Sequence, residues 1–274
     1  MSPLSPLSPL SPLSPLERGD PVAPGNAAGR YRALVRDVGE TLVYAHPSST
    51  EVMAAVCAEA GLDVTVPALE AAEARVWPGV QARQAAMLGD ELYSISAANS
   101  ERFWRSVYVA IFAALGVAEA ARDDLAGRMH ARFSALETWR LYPDALPLLR
   151  EIERRRREDG LVVGVVSNWE EWLEALLISL EVHHYFDFLV ASAGVRSEKP
   201  HPDIFRAALR RAGAGPEATL HVGDSLKADV GGALACGIGA VLLDRRGRYN
   251  AETAPGATII RSLDELPALL DAPA

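Results

Sequence analysis

The sequence predicts an α/β fold: a Rossmann-like, doubly wound parallel sheet with an all-helical domain inserted after its first strand. Two observations lead to this prediction. From Pro143 onward, short apolar segments alternate with amphipathic helical segments, a pattern typical of parallel βαβ units with helices on both faces of a sheet. Between about residues 46 and 142 the chain is rich in Ala with helical periodicity, and no segment there has the pattern of a strand.

The first thirty residues differ from the rest of the chain in composition. Residues 2–16 repeat Ser-Pro-Leu five times. A Pro at every third position blocks helix and sheet hydrogen bonds and favours extended conformations. We therefore expect residues 1–30 to be a disordered tail, and folded structure to begin near Tyr31.

The first strand is expected at residues 31–36, and it runs into Asp37 and a Gly-containing turn. Ser48 and Glu51 then have the spacing of a capping box, which predicts a helix that stops at Gly61. Further helical segments follow at residues 65–88, 98–115 and 118–135, with interruptions expected at Pro78, Gly89 and Gly116.

The second half of the chain supplies the remaining strands of the sheet. They are expected at residues 161–167, 186–192, 218–224, 240–244 and 258–261. The helices between and after them are expected at residues 170–180, 203–212, 229–236 and 263–270. The sheet domain thus comprises residues 31–45 and 143–274, and the helical insertion comprises residues 46–142.

Composition and charge exclude several classes of protein. The 274-residue chain has a formal net charge of -9, whereas binding to nucleic-acid phosphates requires an excess of Lys and Arg. No segment approaches the ~20 consecutive apolar residues of a membrane span, and the N-terminus lacks the pattern of a signal peptide. Cys57 and Cys236 are predicted to be buried thiols. We therefore expect a cytoplasmic protein without nucleic-acid or membrane partners.

Polar residues stand at the ends of three predicted strands. They are Asp37, Ser167 with Asn168, and Asp224, which Asp229 follows five residues later. In an open parallel sheet, ligands bind beyond the carboxyl ends of the strands. Asp and Ser at these positions also commonly cap the following helix. Taken together, however, they fit a site with a carboxylate nucleophile, a hydroxyl and acidic ligands for a hard cation.

Lys199 adds a positive charge to this set. The chain contains only two lysines, Lys199 and Lys227, among its 27 basic residues. Lys199 lies in a loop between Ser197 and Asp203 that two prolines stiffen, where an ammonium could neutralise a nucleophile and an anionic substrate. Arg and Lys are not interchangeable at such a site.

Four short segments in this order resemble the motifs of the haloacid dehalogenase superfamily, in the subclass with a helical cap between the first two motifs. The segments are Asp37-Val-Gly-Glu-Thr41-Leu, Val166-Ser167-Asn168, Lys199-Pro200, and Gly223-Asp224-Ser225 with Asp229. The resemblance covers the chain from Tyr31 onward. It implies a hydrolase whose helical insertion, the cap, closes over the site.

The resemblance also implies a role for each matching residue. Asp37 would attack the substrate and form an aspartyl intermediate, and Ser167 and Lys199 would hold the phosphoryl oxygens, with Asn168 as a match of lesser weight. Mg²⁺ would be coordinated by Asp37, the Gly39 carbonyl and Asp224, with Asp229 as a further ligand or a partner behind the ligands.

Gly39 is the position where the sequence departs from the family pattern. Phosphatases of the family have an Asp there, which protonates the leaving group and activates water. Glu40 and His46 are candidate replacements, although Glu40 is expected to point in a different direction and His46 resembles an ordinary loop histidine. General acid/base catalysis typically contributes about 10²–10⁴-fold to the rate, so the missing group predicts slow turnover.

Two other branches of the family also lack this Asp. The phosphonate-cleaving branch requires a cap lysine, which is excluded because the chain has no lysine before Lys199. The 2-haloacid dehalogenase branch has a Tyr at this position and an uncharged fourth motif, so Gly39, Asp224 and Asp229 disfavour it. The leading prediction is Mg²⁺-dependent hydrolysis of a small phosphorylated metabolite. The alternative is a catalytically impaired relative that binds a phosphorylated ligand or a protein partner.

Overall fold

A six-stranded parallel sheet forms the centre of the molecule, which a computed structural model describes over residues 31–271. Its strands are β1 (Ala33–Arg36), β4 (Val162–Ser167), β5 (Phe188–Ala191), β6 (Thr219–Gly223), β7 (Gly239–Leu243) and β8 (Thr258–Ile260). They are arranged in the order β5-β4-β1-β6-β7-β8. The α/β fold class predicted from the alternation of strands and helices is confirmed.

Helices cover both faces of this sheet. They are α5 (Ala145–Asp159), α6 (Leu173–Ser179), α7 (Ser192–Val195), α8 (Pro202–Ala212), α9 (Gly232–Ala235) and α10 (Leu266–Leu270). Alternate residues of β1 point to opposite faces. Leu34 therefore packs into the cluster that contains Leu149 of α5, whereas Val35 packs into the cluster that contains Phe205 of α8.

The strands place the predicted site residues at one edge of the sheet. β1 pairs in parallel with β4 and with β6, so that Arg36 lies opposite Val165 on one side and Val222 on the other. The carboxyl ends of these three strands therefore lie side by side. Asp37 and Asp224 directly follow β1 and β6, and Ser167 is the last residue of β4.

Four helices of the described chain lie within residues 46–142, the predicted cap. They are α1 (Ser49–Glu59), α2 (Val66–Ala86), α3 (Ala97–Ala114) and α4 (Glu119–Phe133), and they enclose their own buried cluster, which includes Met53, Leu69, Phe112 and Met129. The capping box of Ser48 and Glu51 is present at the start of α1. The interruption expected at Pro78 is wrong, because α2 continues through this proline.

The expectation that residues 46–142 contain no strand is also wrong. β3 (Trp139–Leu141) pairs antiparallel with β2 (Val43–Ala45), and the two form a short ribbon at the junction of the cap and the sheet domain. Each strand has three residues, which is too short for a periodic pattern to show in the sequence. The pairing partner of β3 lies about a hundred residues earlier in the chain, so the local sequence does not reveal this strand.

Two further predictions concern single residues and the termini. Cys57 is buried as expected, but Cys236 at the end of α9 is only half-buried. The predicted disordered tail, residues 1–30, lies outside the described residues. Among residues 31–271, every helix is too short or too polar to cross a membrane.

Candidate active site

Asp37, directly after β1, is held by hydrogen bonds of its backbone and of its carboxylate. Its backbone N–H donates to the Val222 carbonyl at 2.9 Å, which fixes the residue against β6. Its Oδ1 accepts a hydrogen bond from Ser167 Oγ at 2.7 Å and lies 2.7 Å from Lys199 Nζ. The structure therefore brings together the three residues predicted to act as nucleophile and phosphoryl ligands.

Lys199 is positioned by its own backbone as well as by its ammonium. The Lys199 N–H donates to Asn168 Oδ1 at 2.7 Å, and Asn168 Nδ2 donates to the Lys199 carbonyl at 3.0 Å. This reciprocal pair fastens the loop of Lys199 to the end of β4. The described contacts thus engage the Asn168 amide with Lys199, and its predicted contact with substrate stays a prediction.

Asp229 lies next to Lys199, and its carboxylate contacts three nitrogen atoms. Its Oδ1 lies 2.6 Å from Lys199 Nζ and 2.8 Å from His221 Nε2, and its Oδ2 accepts from the Ser225 N–H at 3.0 Å. Gly223 is required next to it, because a Cβ there would overlap the Asp229 carboxylate. His221, which is buried in the middle of β6, was not singled out from the sequence.

The electrostatics of the site leave two carboxylates short of positive charge. Burial on its own would lower the pKa of Lys199, but Asp229 and Asp37 outweigh it and raise that pKa. Burial disfavours the Asp229 carboxylate too, yet Lys199 and His221 lower its pKa, so Lys199 and Asp229 form an ionised pair. Burial raises the pKa of Asp37 in spite of Lys199. Burial, together with the charges of Asp229 and Asp37, raises the pKa of Asp224 to about 8.

The same carboxylates have the arrangement of a cation site. Oxygen atoms of Asp37, Asp224 and Asp229 all lie within 4.8 Å of one another. Among the described residues, neither Asp37 Oδ2 nor the Asp224 carboxylate accepts a side-chain or backbone hydrogen bond. Carboxylate oxygens are the ligands that Mg²⁺ prefers. A divalent cation here would supply the missing positive charge, so the residues present fit one.

Gly39 lies in the tight turn that follows Asp37. Leu42 and Val43 both donate their backbone N–H to the Val38 carbonyl, at 2.8 and 3.0 Å. A Cβ on Gly39 would come within 3.2 Å of the ring of Trp169, which packs against Trp139 with ring centroids 4.9 Å apart. The indole ring of Trp169 therefore lies against the position that an Asp side chain at residue 39 would occupy.

The candidate replacements for that Asp differ in their surroundings. Glu40 has a positive φ of 53° and its carboxylate accepts from the Tyr142 hydroxyl at 2.9 Å. His46 is exposed, and its backbone N–H donates to the Thr138 carbonyl within the β2–β3 ribbon. Glu40 lines the cavity described next, whereas His46 does not.

A cavity of about 630 Å³ lies between the cap helices and the loops that follow β1 and β4. Gly39, Asn168 and Trp169 form its wall on the sheet side. Glu73 of α2 and Tyr108 of α3 are among the residues that form its wall on the cap side. The ring of Trp169 thus faces the cap helices across the cavity. Tyr93 and Glu170, which also line the cavity, were not singled out because neither belongs to a motif.

A segment between α2 and α3 joins the cap to the sheet domain next to Lys199. The Ser94 N–H and hydroxyl both donate to Glu198 Oε1, at 2.5 and 2.9 Å, and Ser94 Oγ lies 2.7 Å from Ser192 Oγ. Ser94, Ser192 and Glu198 are buried. Because Glu198 precedes Lys199, the docking of this segment is coupled to the loop that carries the ammonium.

Comparisons with known proteins agree with this geometry. A family model for haloacid dehalogenase-like hydrolases matches residues 31–237. The chain is 30% identical over 241 residues to haloacid dehalogenase-like hydrolase domain-containing protein 3 from Danio rerio, an alignment that covers 87% of this chain and 96% of that protein. It is 40% identical over 114 residues to glyceraldehyde 3-phosphate phosphatase from Methanopyrus kandleri, covering 39% and 45%.

A similar fold occurs among solved structures. The HAD-hydrolase YfnB from Bacillus subtilis, crystallised with magnesium, superimposes with a TM-score of 0.69 at 19% identity and covers 89% of this chain and 100% of that chain. At this level of identity the match supports the fold alone.

Proposed function

The chain belongs to the haloacid dehalogenase-like hydrolases, and on that basis we propose that it is a Mg²⁺-dependent phosphatase that acts on a small phosphorylated molecule. The observation that carries the proposal is the buried Asp37 carboxylate, bonded to Ser167 and Lys199, with Asp224 and Asp229 within 4.8 Å. Such a carboxylate suits nucleophilic attack on phosphorus. The phosphatase from Methanopyrus kandleri adds support from a relative.

The first half of the proposed reaction transfers the phosphoryl group to the protein. An oxygen of Asp37 attacks phosphorus, the bond from phosphorus to the ester oxygen breaks, and the departing alkoxide takes up a proton from solvent water. Ser167 Oγ and Lys199 Nζ, which both lie 2.7 Å from Asp37 Oδ1, are placed to bind the phosphoryl oxygens as their charge grows. Asp229 holds the Lys199 ammonium in position for this task.

In the second half, water attacks phosphorus of the aspartyl phosphate, which releases inorganic phosphate and restores the Asp37 carboxylate. Asp37, Asp224 and the Gly39 carbonyl would hold Mg²⁺, with Asp229 as a ligand or as a partner behind the ligands. When bound, the cation neutralises carboxylate and phosphoryl charge. We also propose that residues 31–45 and 143–274 act as the catalytic domain and residues 46–142 as a cap that excludes water from the site.

The glycine at position 39 favours one rival function. Without an acid there, the departing alkoxide lacks the family's proton donor, and a protein that only binds a phosphorylated ligand would tolerate this loss. The 2-haloacid dehalogenase alternative receives less support, because Asp224 and Asp229 add negative charge beside a nucleophile that would have to work without a cation.

The choice of leaving group separates the phosphatase from its rival. 4-Nitrophenyl phosphate has a leaving group that needs no proton, so wild-type protein should hydrolyse it with Mg²⁺ and lose the activity in EDTA. Asp37→Asn should reduce turnover to background, whereas Asp123→Asn, which alters an exposed carboxylate on the cap, should leave it unchanged. Folded wild-type protein that saturates with a phosphate ester yet releases no phosphate would support the rival.

A further inference from the structure

The cavity next to Asp37 has to accept whatever alcohol is esterified to the phosphate. If Asp37 attacks phosphorus, as the proposed function states, the ester oxygen points away from Asp37, and the space beyond the site is this cavity. Gly39, in the turn after Asp37, and Asn168, which hydrogen-bonds to the backbone of Lys199, both line its wall. Its volume of about 630 Å³ is in the range of pockets for small molecules considerably larger than a triose.

Aromatic rings make up much of the wall. Trp104 and Tyr108 of α3 lie with ring centroids 6.2 Å apart, and Tyr108 lies 6.2 Å from Phe133 of α4. Trp169 and Trp172, 5.1 Å apart, face them from the sheet domain. Rings of this kind bury apolar bodies well, and their faces also attract cations.

The charged groups of the wall are all of one sign. Four glutamates line the cavity: Glu40, Glu70, Glu73 and Glu170. Within the described residues the wall contains no Lys and no Arg, and burial lowers the pKa of its one histidine, His130, which favours the neutral ring. The cap arginines are used elsewhere; Arg105, for example, pairs with Glu101 and Asp123 on the cap surface. A second phosphate or a carboxylate on the substrate would find no partner here.

Glu170 is the carboxylate most in need of a partner. It accepts a hydrogen bond from Ser100 Oγ of α3, and no cation among the described residues lies within ion-pair distance of it. Burial raises its pKa, and none of the groups that act on that pKa is a cation. A carboxylate in apolar surroundings is costly unless it is paired. Glu73, on the cap side of the same cavity, is half-buried and similarly has only a weak contact with Ser49 at 3.5 Å.

We propose that the alcohol esterified to the phosphate is an amino alcohol with an apolar or aromatic body. Its ammonium binds between Glu170 and Glu73, and its body packs against the tryptophan and tyrosine rings. The cavity then selects phosphomonoesters that carry a positive charge and discriminates against those with a second negative charge.

Alcohols without phosphate test the cavity independently of turnover. Tryptophan fluorescence would follow the titration of 4-(aminomethyl)phenol, 4-methylphenol and 4-hydroxybenzoate, which share a ring and differ in charge. The amine should bind about tenfold more tightly than 4-methylphenol, as expected for one hydrogen bond to a charged partner, and the carboxylate should bind most weakly. Equal or tighter binding of 4-hydroxybenzoate would overturn the proposal.

Substitutions of the two glutamates test whether they cause the preference for the amine over 4-methylphenol. Glu170→Gln should bring the affinities for the amine and for 4-methylphenol close to each other, and Glu73→Gln should reduce the difference in the same direction. Glu171→Gln changes the adjacent charge outside the cavity and should keep the wild-type preference. Folding of each variant is checked by thermal melting, and Glu73→Gln serves if Glu170→Gln does not fold. An unchanged preference in a folded Glu170→Gln or Glu73→Gln protein contradicts the proposal.

The phosphate esters of the same three alcohols connect the cavity to catalysis. The ammonium ester should have the lowest KM, and Glu170→Gln should raise that KM while KM for the 4-methylphenyl ester stays the same. If none of the esters is hydrolysed but the amine is still preferred in the fluorescence titration, the proposed phosphatase function fails and the inference about the cavity stands.

Discussion

At the scale of single residues, Gly39 and Trp169 have to be considered together. The indole ring lies 3.2 Å from the position that a Cβ on Gly39 would occupy, and it is held by Trp139 and Trp172. A side chain at position 39 therefore competes with this ring for space. The obstacle lies in the sheet domain and not in the cap.

Gly39→Asp should raise turnover of an alkyl phosphate, because it restores the missing proton donor. We expect a gain of about tenfold or more, below the upper range of about 10⁴-fold for general acid/base catalysis, since Trp169 has to move by a few tenths of an ångström. Steady-state kinetics at saturating Mg²⁺ would measure the gain. Gly39→Ala introduces the same Cβ contact without a carboxyl group and should lower stability without any gain. Equal turnover in the two variants would show that the vacant acid position does not limit the rate.

Arg36, the residue before Asp37, is a second unusual residue. It is fully buried, its guanidinium makes no hydrogen bond within the described chain, and burial lowers its pKa to about 9. The guanidinium carbon lies 5.3 Å from the centroid of the Phe186 ring, whose face can partly stabilise the buried charge.

Arg36→Met should stabilise the protein, because an apolar side chain of similar length removes a buried charge that has no hydrogen-bonding partner. We expect the free energy of unfolding to rise by about 1–4 kcal/mol, measured by urea denaturation. Arg150→Met, at an exposed position of α5, is the matched control and should change stability much less. A loss of stability in Arg36→Met would mean that the guanidinium is stabilised by an interaction other than its contact with Phe186.

At the scale of elements, the segment between α2 and α3 and the β2–β3 ribbon both join the cap helices to the sheet domain. The first rests on Ser94 and Glu198, and the second includes a hydrogen bond from the Tyr142 N–H to the Leu42 carbonyl at 2.9 Å. Both connections pair residues about a hundred positions apart.

Docking of this segment should make stability depend on pH through Glu198. Burial raises the pKa of this carboxyl above its ordinary value of 4.5. The folded protein therefore holds this proton more tightly than the unfolded chain. The contribution of Glu198 to stability is therefore fully present at low pH and is lost as the pH rises from about 4.5 through the folded pKa. Glu198→Gln keeps an acceptor for Ser94 and has no proton to lose.

Thermal melting at pH 5 and pH 8 would measure this effect. The difference in melting temperature between Glu198→Gln and wild type should be more positive at pH 8 than at pH 5. Glu217→Gln, at an exposed glutamate, should melt like wild type at both pH values. The opposite sign for Glu198→Gln would show that its carboxylate is stabilised in the folded protein.

At the scale of the whole molecule, Mg²⁺ should act as a structural ligand as well as a catalytic one. Asp37, Asp224 and Asp229 converge from the ends of β1 and β6, and Lys199 is the one ammonium among them. A ligand that binds only the folded state stabilises it by about 2.7 kcal/mol at a hundred times its Kd. Mg²⁺ should therefore raise the melting temperature of wild-type protein.

Asp224→Asn tests the origin of that stabilisation. It removes one of the mutually repelling carboxylates, so the metal-free variant should melt above metal-free wild type, and added Mg²⁺ should shift it much less. Asp264→Asn, in an exposed turn before α10, should respond to Mg²⁺ as wild type does. An Asp224→Asn protein with the full Mg²⁺ shift would place the cation elsewhere.

The sequence by itself determined the fold class and the identity of the residues at the sheet edge. Both can be read from local patterns in the sequence, namely the alternation of strands and helices and the polar residues at the ends of strands. In a parallel sheet those ends lie side by side, so Asp37, Ser167 and Asp224 had to meet there. Lys199, also predicted from the sequence, lies with them. The roles assigned to these residues stay predictions.

Only the tertiary structure decided what surrounds them. The ring of Trp169 over Gly39, the bond between Ser94 and Glu198 and the β2–β3 ribbon all join segments that are distant in the chain. The periodicity of a helix shows which of its faces is buried, but not which distant surface covers that face. The walls of the cavity, and with them the position of Glu170, depend on how the cap helices pack against the sheet domain, and that packing is a long-range property of the folded chain.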